Sequence, residues 1–357
     1  MKLKIAVIGG DGIGPEVTAE AVKVTGAVAQ KYGHTVEWSS ALCGAQAIKE
    51  CGDPFPKASL ETCLKADAVL FGAVGDPAYD NNPAAKVRPE QGLMAIRKEL
   101  GLYANLRPVT TFAELVDKSP LRRELVEGAD ILCIREFSSG IYYGRPQGRS
   151  EDGLTAYDTC LYTHEEVERI VRLAYRYARE RRHKVSVVDK ANILATSRLW
   201  REVARDVSKE FPDVETEYLF VDNAAMRLVQ WPTQFDVIVT DNMFGDILTD
   251  EAAVISGSMG LLPSGSYGLH TPLFEPIHGS WPQAAGKGIA NPMASILSAA
   301  MMLDNPFGLK REAALVQDAV KAAIKEGVRT PDIALQGAPS YSTTQVGSWI
   351  ASYIKEA

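Results

Sequence analysis

Short apolar runs alternate with helical stretches along this chain, and that alternation constrains the fold more than any other feature of the sequence. Each run has the length of a buried strand. The predicted strands are Lys2–Ile8, Ala68–Phe71, Ile131–Ile134, Val185–Val188 and Val237–Val239. Between the first two lies Pro15–Tyr32, a helical stretch with proline at its start. Strands separated by helices in this way predict an α/β sheet architecture.

Three later segments complete the outline. Glu165–Arg182 is long, charged and amphipathic, and it is predicted to be a helix. Pro292–Leu303 is a second predicted helix, with Asn291 as its N-cap and proline at its first position. Phe137–Thr159 is rich in Gly, Ser, Arg and Tyr and has little periodicity. It is too long for a routine connection, so we expect it to protrude and to have a function.

Length, charge and cysteine content narrow the class of protein. The 357 residues allow two domains or one large α/β unit, and the net charge of −7 argues against a general role in binding nucleic acid or membrane surfaces. A local arginine cluster could still bind an anionic substrate. The five cysteines form no CxxC pair, which is typical of free thiols in a reducing cytosol. The apolar run Ile5–Ile8 is too short for a signal peptide or a membrane span, so we expect a cytoplasmic protein.

The segment Gly9–Gly14, with the sequence GGDGIG, lies between a predicted strand and a predicted helix, as a dinucleotide-binding turn would. Its spacing does not match GxGxxG, because Gly14 follows Gly12 after a single residue and Pro15 comes next. An acidic residue, Glu37, falls near the offset at which a ribose contact is expected. We interpret the segment as a tight turn near another kind of site, with a standard Rossmann turn as the less favoured alternative.

Two acidic residues, Asp246 and Asp250, lie four apart in the helical pattern FGDILTDE, which places both carboxylates on one helix face. Like charges at this spacing repel each other. A shared Mg²⁺ or Mn²⁺ would offset the repulsion, since hard divalent ions prefer carboxylate oxygens. On this pair alone, a solvated acidic face remains the alternative.

Several basic residues are candidates for binding and catalysis. Arg97, Arg107 and Arg135 are suited to bidentate capture of carboxylates, although any one of them alone would more often be a surface residue. Arg135 ends an apolar strand, where ligands of α/β sheets usually lie. Lys190 follows the strand Val185–Val188 in the same way, and it could serve as a general base if its pKa were lowered.

A glycine-rich loop, containing His278-Gly279-Ser280 and then Gly286 to Asn291, leads into the helix predicted at Pro292. Backbone amides in such a loop can bind a nucleotide. A loop without a ligand is an equally good reading of these residues by themselves.

Taken in order, these motifs resemble the isocitrate/isopropylmalate dehydrogenase family. The resemblance covers essentially the whole chain, from GDGIGPE near the N-terminus to the C-terminal helices. The segments that carry it are AIRKELGLYANLRP, REFSSGIYYG, VDKAN, VDNAAM, DNMFGDILTDEA and HGSWPQAAGKGIANP.

The resemblance implies a two-domain α/β fold that is not a standard Rossmann fold. A large, cofactor-binding domain would comprise residues 1–102 and 257–357, and a small domain would comprise residues 103–256. The small domain would carry the dimer contact and an arm at about residues 137–159. The active sites would be shared between the two subunits of a homodimer.

The resemblance also assigns roles to individual residues. Arg97, Arg107 and Arg135 would hold the substrate carboxylates. Asp246 and Asp250, together with Asp222 of the partner subunit, would bind Mg²⁺ or Mn²⁺, and Asp222 would also contact the substrate.

Two further residues would carry out proton transfers in the reaction of this family. Lys190 of the partner subunit would help remove the C2 hydroxyl proton, and Tyr142 would protonate the enolate left after decarboxylation. A regulatory subunit without activity could lose such residues. Both are present here, together with the metal-binding aspartates, which favours an enzyme.

Substrate choice should depend on the residues that meet the third substituent of malate. Glu90 precedes Leu93 and Met94 here, where isocitrate enzymes carry a serine and further polar groups, and Ile193 matches another lining position. An apolar wall would disfavour a third carboxylate and favour an isopropyl group. We therefore expect oxidative decarboxylation of 3-isopropylmalate, as in leucine biosynthesis. Homoisocitrate, tartrate or another substituted malate is the alternative.

The expected cofactor is NAD. The expected cofactor contacts are Gly75, Glu90, His278, Gly279, Ser280, Gln283, Gly286 and Asn291. NAD-dependent members usually have an aspartate where this chain has Gln283, whereas NADP-dependent relatives have Lys-Tyr. Glutamine is neutral and no cation stands beside it, so we expect NAD to be preferred by a smaller margin than an aspartate would give. Trp281 replaces an alanine often found there, and nothing in the sequence explains it.

Overall fold

The protein is described by a computed structural model that covers residues 1–80 and 87–357. The chain divides into two compact units. The terminal unit consists of Met1–Leu102 and Ser258–Ala357, and the central unit is Tyr103–Gly257. The roles expected for the two parts of the chain, cofactor binding and dimer contact, stay predictions.

Strands and helices alternate along both units. The first part of the terminal unit contains β1 (Lys2–Gly10), α1 (Gly14–Tyr32), β2 (Thr35–Ser40), α2 (Ala45–Cys51), α3 (Lys57–Lys65), β3 (Ala68–Ala73), α4 (Pro77–Asp80) and α5 (Pro89–Glu99). The central unit contains α6 (Arg123–Val126), β5 (Asp130–Glu136), β6 (Gly148–Arg149), β7 (Ala156–Tyr157), α7 (His164–Arg179), β8 (Lys184–Asp189), α8 (Ala195–Ser208), β9 (Glu215–Phe220), α9 (Val221–Gln230), β10 (Val237–Thr240) and α10 (Asn242–Ser256). It also contains all of β4 (Leu102–Thr110) except its first residue. The chain then returns to the terminal unit with β11 (Pro263–Gly268), β12 (Leu273–Pro276), α11 (Met293–Asp304), α12 (Lys310–Lys325) and α13 (Thr343–Glu356).

The strands of the terminal unit lie in the order β2-β1-β3-β12-β11. Neighbours are parallel except for β11, which pairs antiparallel with β12. Every residue of β3 is buried, as expected for a strand in the middle of a largely parallel sheet. Helix α1 packs against α11 and α13, and it buries Val17, Ala21, Val24 and Val28 at helical spacing.

The strands of the central unit lie in the order β4-β5-β10-β8-β9. β4 is antiparallel to β5, and the other neighbours are parallel. The carboxyl ends of β5, β10 and β8 therefore lie at one edge of the sheet. Arg135, near the end of β5, pairs in register with Thr240, the last residue of β10. Helix α10 begins two residues after Thr240 and packs against β5, so this sheet edge brings Arg135 beside the first turns of α10.

The prediction of an α/β fold is confirmed, and the five predicted strands are all present. The observed strands are longer than the predicted ones by one to three residues, because backbone pairing continues past the last apolar side chain. Helix α7 begins one residue earlier than predicted and ends at Arg179, three residues earlier than predicted. Its N-cap is Thr163, whose hydroxyl accepts from the Glu166 amide while the Glu166 carboxylate accepts from the Thr163 amide.

The predicted start of the helix after Asn291 was wrong by one residue. Helix α11 begins at Met293, and Pro292 occupies the N-cap position. The Asn291 side chain nevertheless accepts a hydrogen bond of 3.0 Å from the Met293 amide, so it still satisfies a free donor of the first turn.

The glycine-rich segment after β1 forms a tight turn. Gly10 and Gly12 both have positive φ, at 73° and 58°. A Cβ at Gly12 would lie 2.0 Å from the carbonyl oxygen of Ser280, so glycine is required there for the turn to meet the loop that follows β12. The next amide, of Ile13, donates to the same Ser280 oxygen at 2.7 Å.

The segment predicted to protrude, Phe137–Thr159, contains a 3₁₀ turn at Gly140–Tyr142 and the antiparallel pair β6–β7. The side chains of this pair are exposed, and Leu154 between the two strands is 86% exposed. Among the helices of residues 1–80 and 87–357, none is long and apolar enough to cross a membrane.

Candidate active site

Arg135 is almost completely buried at the sheet edge of the central unit, with 2% of its surface exposed. Its guanidinium forms an ion pair with Asp246 and donates two hydrogen bonds, of 3.1 and 2.8 Å, to the amide oxygen of Asn242. It also lies 5.2 Å from the centre of the Phe137 ring. These contacts fix the guanidinium, since Asn242 and Asp246 are one helical turn apart on α10.

The close packing of Arg135 against α10 depends on Gly245. A Cβ at Gly245 would lie 2.6 Å from Cγ and 2.9 Å from Cβ of Arg135. Any larger residue at position 245 would therefore displace the arginine or the helix.

A second arginine, Arg107 on β4, lies next to the same carboxylates. Its Nε donates to Asn105 Oδ1 at 2.6 Å, and its Nη1 donates to Thr249 Oγ1 at 2.6 Å. The same Nη1 is 3.8 Å from Oδ1 of Asp246 and 3.8 Å from Oδ1 of Asp250. Strand pairing causes this proximity, because β4 and β5 are antiparallel neighbours and both present an arginine near α10.

Asp246 and Asp250 both lie on α10, as predicted, and their side chains are 37% and 60% exposed. Burial raises the pKa of the Asp250 carboxyl, and the charge of Asp246 raises it further, whereas Arg107 and Arg135 lower it. The hydroxyl of Tyr142 donates to Oδ2 of Asp246 at 2.9 Å. The structure thus brings together two arginines, two carboxylates and a phenol.

These side chains are suited to a hard divalent cation. Two carboxylates separated by one helical turn can share an ion that prefers oxygen ligands, and both retain exposed surface from which water or substrate oxygen can complete the coordination. Within the two described stretches of the chain, no cluster of three or more Asp, Glu, His or Cys side chains could hold a metal by itself.

Lys190 and Asp222 form a separate ion pair in the central unit. Lys190 directly follows β8, and Asp222 lies in the first turn of α9. The hydrogen bond from Lys190 holds the pKa of Asp222 below its usual range. Ile193 donates its amide to the Lys190 carbonyl at 2.9 Å, and its side chain is 65% exposed.

Helix α5 in the terminal unit carries three of the predicted site residues on one face. Glu90, Leu93 and Arg97 follow each other at helical spacing, and Met94 lies beside them. Nη2 of Arg97 is 3.9 Å from Oε1 of Glu275 on β12. Leu93 and Met94 are partly buried.

A cavity of about 360 Å³ lies in the terminal unit beside the loop after β12. Three of the expected cofactor contacts, His278, Gly279 and Asn291, line it together with Ile13, Ser258, Met259, Gly260, Trp281 and Asp332. These three expected cofactor contacts therefore lie around a single cavity.

His278, which lines this cavity, has a buried ring nitrogen without a hydrogen-bond donor among the described residues. Its Nδ1 lies 2.9 Å from the Gly279 carbonyl oxygen, which can only accept, so Nδ1 carries the proton. Burial lowers the pKa of the imidazole and favours its neutral form. Nε2 is then a lone-pair acceptor. It is buried, and across residues 1–80 and 87–357 no group hydrogen-bonds to it.

Of the remaining expected cofactor contacts, Gly75, Glu90 and Ser280 lie close together. A Cβ at Gly75 would be 3.1 Å from Oγ of Ser280 and 3.5 Å from Oε1 of Glu90, so these three residues are neighbours. Gln283 is exposed on the 3₁₀ turn Pro282–Ala284. The Gly286 amide donates to the Glu16 carboxylate on α1.

Sequence reasoning missed the side chains that hold the arginines. Asn105 precedes Arg107 by two positions on β4, so both point to the same face of the strand. Asn242 and Thr249 share the α10 face of Asp246, four residues before it and three after. These spacings are the only signal in the sequence, and they are too common to be recognised before the sheet order is known.

Exposed apolar side chains cover part of helices α9 and α10, which contact each other. Met226 and Val229 are exposed on α9, and Ile247 and Val254 are exposed on α10. An exposed apolar surface shared by two helices is typical of a protein–protein contact.

Comparison with known proteins agrees with this arrangement. The sequence pattern of the family described as isocitrate/isopropylmalate dehydrogenase matches residues 4–350. A 3-isopropylmalate dehydrogenase from Bacteroides fragilis is 57% identical over 100% of both chains. Another from Geobacillus kaustophilus is 55% identical over 96% of this chain and 93% of its own. The crystal structure of an isocitrate dehydrogenase from Methylococcus capsulatus superposes with a TM-score of 0.86 at 35% identity, covering 99% of each chain. The chain belongs to the isocitrate/isopropylmalate dehydrogenase family.

Proposed function

We propose that this enzyme catalyses the NAD-dependent oxidative decarboxylation of 3-isopropylmalate to 4-methyl-2-oxopentanoate and CO₂, a step of leucine biosynthesis. The observation that carries the choice of substrate is the 57% identity, over the full length of both chains, to a 3-isopropylmalate dehydrogenase. The cluster of Arg107, Arg135, Asp246, Asp250 and Tyr142 supports the class of reaction.

The two arginines of the central unit would bind the substrate carboxylates. Arg135 already has its Nε and one terminal nitrogen occupied by Asn242, and Arg107 is held by Asn105 and Thr249. Guanidinium groups held in this way lose little side-chain entropy when they bind an anion, so they form a preorganised site.

Asp246 and Asp250 would hold Mg²⁺ or Mn²⁺, with Asp222 of the partner subunit as a further ligand. When bound, such an ion polarises a carbonyl oxygen and stabilises the negative charge of an enolate. The positive charges of Arg107 and Arg135 lower the pKa of Asp250 and so oppose part of the effect of burial, which favours the ionised form that binds a metal.

Two residues would move protons. The Tyr142 hydroxyl points its proton at Asp246, so a proton donor is held beside the metal-binding carboxylates and can protonate an enolate carbon. Lys190 would accept the proton of the C2 hydroxyl in the partner's site. The Lys190 amine is held in an ion pair with Asp222, the residue proposed as a metal ligand in the same partner site.

The adenosine half of NAD would bind at the cavity beside His278, and the nicotinamide ring at the other end of the cofactor would accept the hydride. The unpaired Nε2 acceptor suits a ligand that carries an N–H donor, and the exocyclic amino group of adenine is one. The apolar wall formed by Ile13 and Met259 suits the faces of a planar base.

A homodimer with shared sites is part of this proposal. The exposed apolar residues of α9 and α10 supply a surface that a second copy would cover, and Asp222 lies at the start of α9. A contact through α9 would therefore bring Asp222 and its partner Lys190 close to the other subunit.

A substrate panel tests the proposed activity. The purified protein, with NAD and Mg²⁺ or Mn²⁺, is assayed with 3-isopropylmalate, isocitrate, homoisocitrate, tartrate and malate. We expect the highest kcat/KM with 3-isopropylmalate. A higher value with any of the other four acids would contradict the proposed substrate while leaving the family unchanged.

A further inference from the structure

Trp281 has a backbone conformation that a bulky residue rarely adopts. Its φ is 36° and its ψ is 64°, in the left-handed region. Among the described non-glycine residues, only His183 shares a positive φ. The left-handed conformation is energetically unfavourable for any residue that has a Cβ atom, whereas glycine adopts it without this cost. The position nevertheless carries the largest of the side chains.

The surrounding contacts hold Trp281 in this conformation. The preceding carbonyl, of Ser280, accepts from the Ile13 amide at 2.7 Å, and the carbonyl of Trp281 accepts from the Ala284 amide at 3.0 Å. Ala284 is buried in an apolar cluster with Ile13. The loop is therefore anchored on both sides of Trp281, and a strained backbone can persist there.

The indole itself is not packed into a core. Trp281 is 49% exposed, and it lines the same cavity as His278, whose Nε2 is buried without a hydrogen-bond partner among the described residues. A half-exposed tryptophan held at strain contributes little to the burial of apolar surface. It does place a large aromatic side chain beside a cavity that His278 also lines.

We propose that Trp281 is a cofactor-binding residue that stacks on the adenine base, and that it determines how this enzyme recognises the adenosine half of its dinucleotide. The inference rests on the proposed use of NAD. Stacking between an aromatic side chain and a base is favourable for any purine. The same base can direct its amino group to His278 Nε2, so one ligand would satisfy both the aromatic face and the buried acceptor.

This mode of recognition has a consequence for specificity. A stacked indole contacts the base and not the ribose, so it cannot distinguish NAD from NADP. Gln283, two residues further on, is neutral and exposed, and it supplies no charge that would repel a 2′-phosphate. Trp281 would then contribute affinity for both NAD and NADP. Discrimination between the two cofactors would be weak, because Gln283 carries no charge.

Equilibrium binding separates the two contributions. Isothermal titration of AMP, NAD and NADP is carried out on the wild type, Trp281→Ala and Gln283→Asp. We expect Trp281→Ala to weaken all three ligands by roughly tenfold, and by the same factor for NAD and NADP. Gln283→Asp should instead change the ratio of the NAD and NADP affinities. Wild-type affinity for AMP in Trp281→Ala would overturn the proposal.

Two controls address folding and the nature of the contact. Trp281→Phe and Trp281→Tyr keep an aromatic face and should recover most of the affinity for AMP. Trp281→Gly removes the strained side chain, so its melting temperature should equal or exceed that of the wild type although AMP binding is weakened. A lowered melting temperature in Trp281→Gly, with unchanged AMP affinity, would assign Trp281 a structural role and contradict the inference.

Fluorescence provides a readout that does not depend on turnover. Stacked adenine should quench the emission of Trp281, so AMP should quench the wild type more than Trp281→Phe. If the wild type binds neither NAD nor AMP, the proposed cofactor is wrong. If it binds both and Trp281→Ala binds them equally well, only the role of Trp281 is wrong.

Discussion

Asp246 interacts with three different groups at once, since its carboxylate contacts Arg135, Arg107 and the hydroxyl of Tyr142. A negative charge at this position therefore has two functions in the proposed mechanism. It is a counter-ion for a buried guanidinium, and it is a ligand for the divalent cation. The two functions can be separated experimentally, because only the second depends on metal concentration.

Replacing Asp246 with Asn keeps the shape of the side chain and removes its charge. We expect turnover to fall by about 10²–10³-fold or more, because an oxygen ligand and the charge that organises the site are both lost. Titration with Mn²⁺ should show weakened metal binding in the same variant. Asp318→Asn, at an exposed ion pair with Lys321 on α12, is the matched control and should behave as the wild type. Normal turnover of Asp246→Asn at low metal concentration would contradict the assignment.

Gly245 offers a test of how tightly Arg135 is packed. Gly245→Ala would place a methyl group 2.6 Å from Arg135 Cγ, so we expect a loss of about 1–3 kcal/mol in the free energy of unfolding and a raised KM. Gly26 in the middle of α1 has nothing within 4 Å of an added Cβ. Gly26→Ala should therefore stabilise the protein by roughly 0.5–1 kcal/mol. Urea unfolding measures the free energy of unfolding of both variants. Equal changes in the two variants would mean that the packing at Gly245 is not tight.

At the scale of single elements, helix α10 begins at an unusual cap. The Asp241 carboxylate accepts from the Phe244 amide at 2.8 Å, yet it is almost completely buried. Burial raises its pKa to about 7, and the charge of buried Glu136 acts in the same direction. The cap of the helix that carries both candidate metal ligands thus titrates near neutral pH.

The pH dependence of stability follows from this shift. Because the pKa of Asp241 is higher in the folded state than its ordinary value of 3.8, the folded state binds more protons, and stability decreases as pH rises from about 4 to 7. The loss is at most about 4 kcal/mol. Asp241→Asn keeps a good N-cap without the titration. Urea unfolding at several pH values should show the wild type losing stability relative to Asp241→Asn across this window, and a constant difference would contradict the shift.

Helix α5 tests substrate choice, since Leu93 and Arg97 lie on one of its faces one turn apart. Leu93→Ser would remove part of the proposed apolar wall. We expect kcat/KM for 3-isopropylmalate to fall by about 10–200-fold relative to that for unbranched malate, which corresponds to one apolar contact of ~1–3 kcal/mol. Steady-state assays with both substrates measure the ratio. An equal decrease in kcat/KM for the two substrates would mean that Leu93 is not part of the apolar wall.

The elements were largely predictable, and so was the family. Apolar runs located the strands, and the ordered motifs led to the resemblance that the comparisons confirm. The predicted start of α11 failed because proline at the first helical position and proline at the cap look alike in sequence. Asn105 and Thr249 could not be found, because their contact with Arg107 depends on the order of strands that are distant in sequence. The strain at Trp281 likewise arises from tertiary contacts of its loop.

At the scale of the whole molecule, the proposed shared site makes a prediction about mixed dimers. Lys190→Ala and Asp246→Asn chains should each be nearly inactive alone. After random subunit exchange, half of the dimers are mixed, and one of the two sites in each mixed dimer combines the intact Lys190 of one subunit with the intact Asp246 of the other. About a quarter of wild-type activity should therefore return. Mass spectrometry should verify that mixed dimers formed, and no recovery in their presence would rule out the shared site.

The order of strands in the terminal unit has a consequence for the synthesis of the protein. β3 pairs with β1 on one side and with β12 on the other, and about 200 residues of chain separate β3 from β12. While the ribosome makes the central unit, one edge of the buried, apolar β3 has no partner strand. Such an edge is prone to aggregation. The central unit is continuous in sequence and can fold as it emerges, whereas the terminal unit must wait until residue 276 has been added. A nascent chain stalled before β12 should therefore need chaperone protection of its first hundred residues.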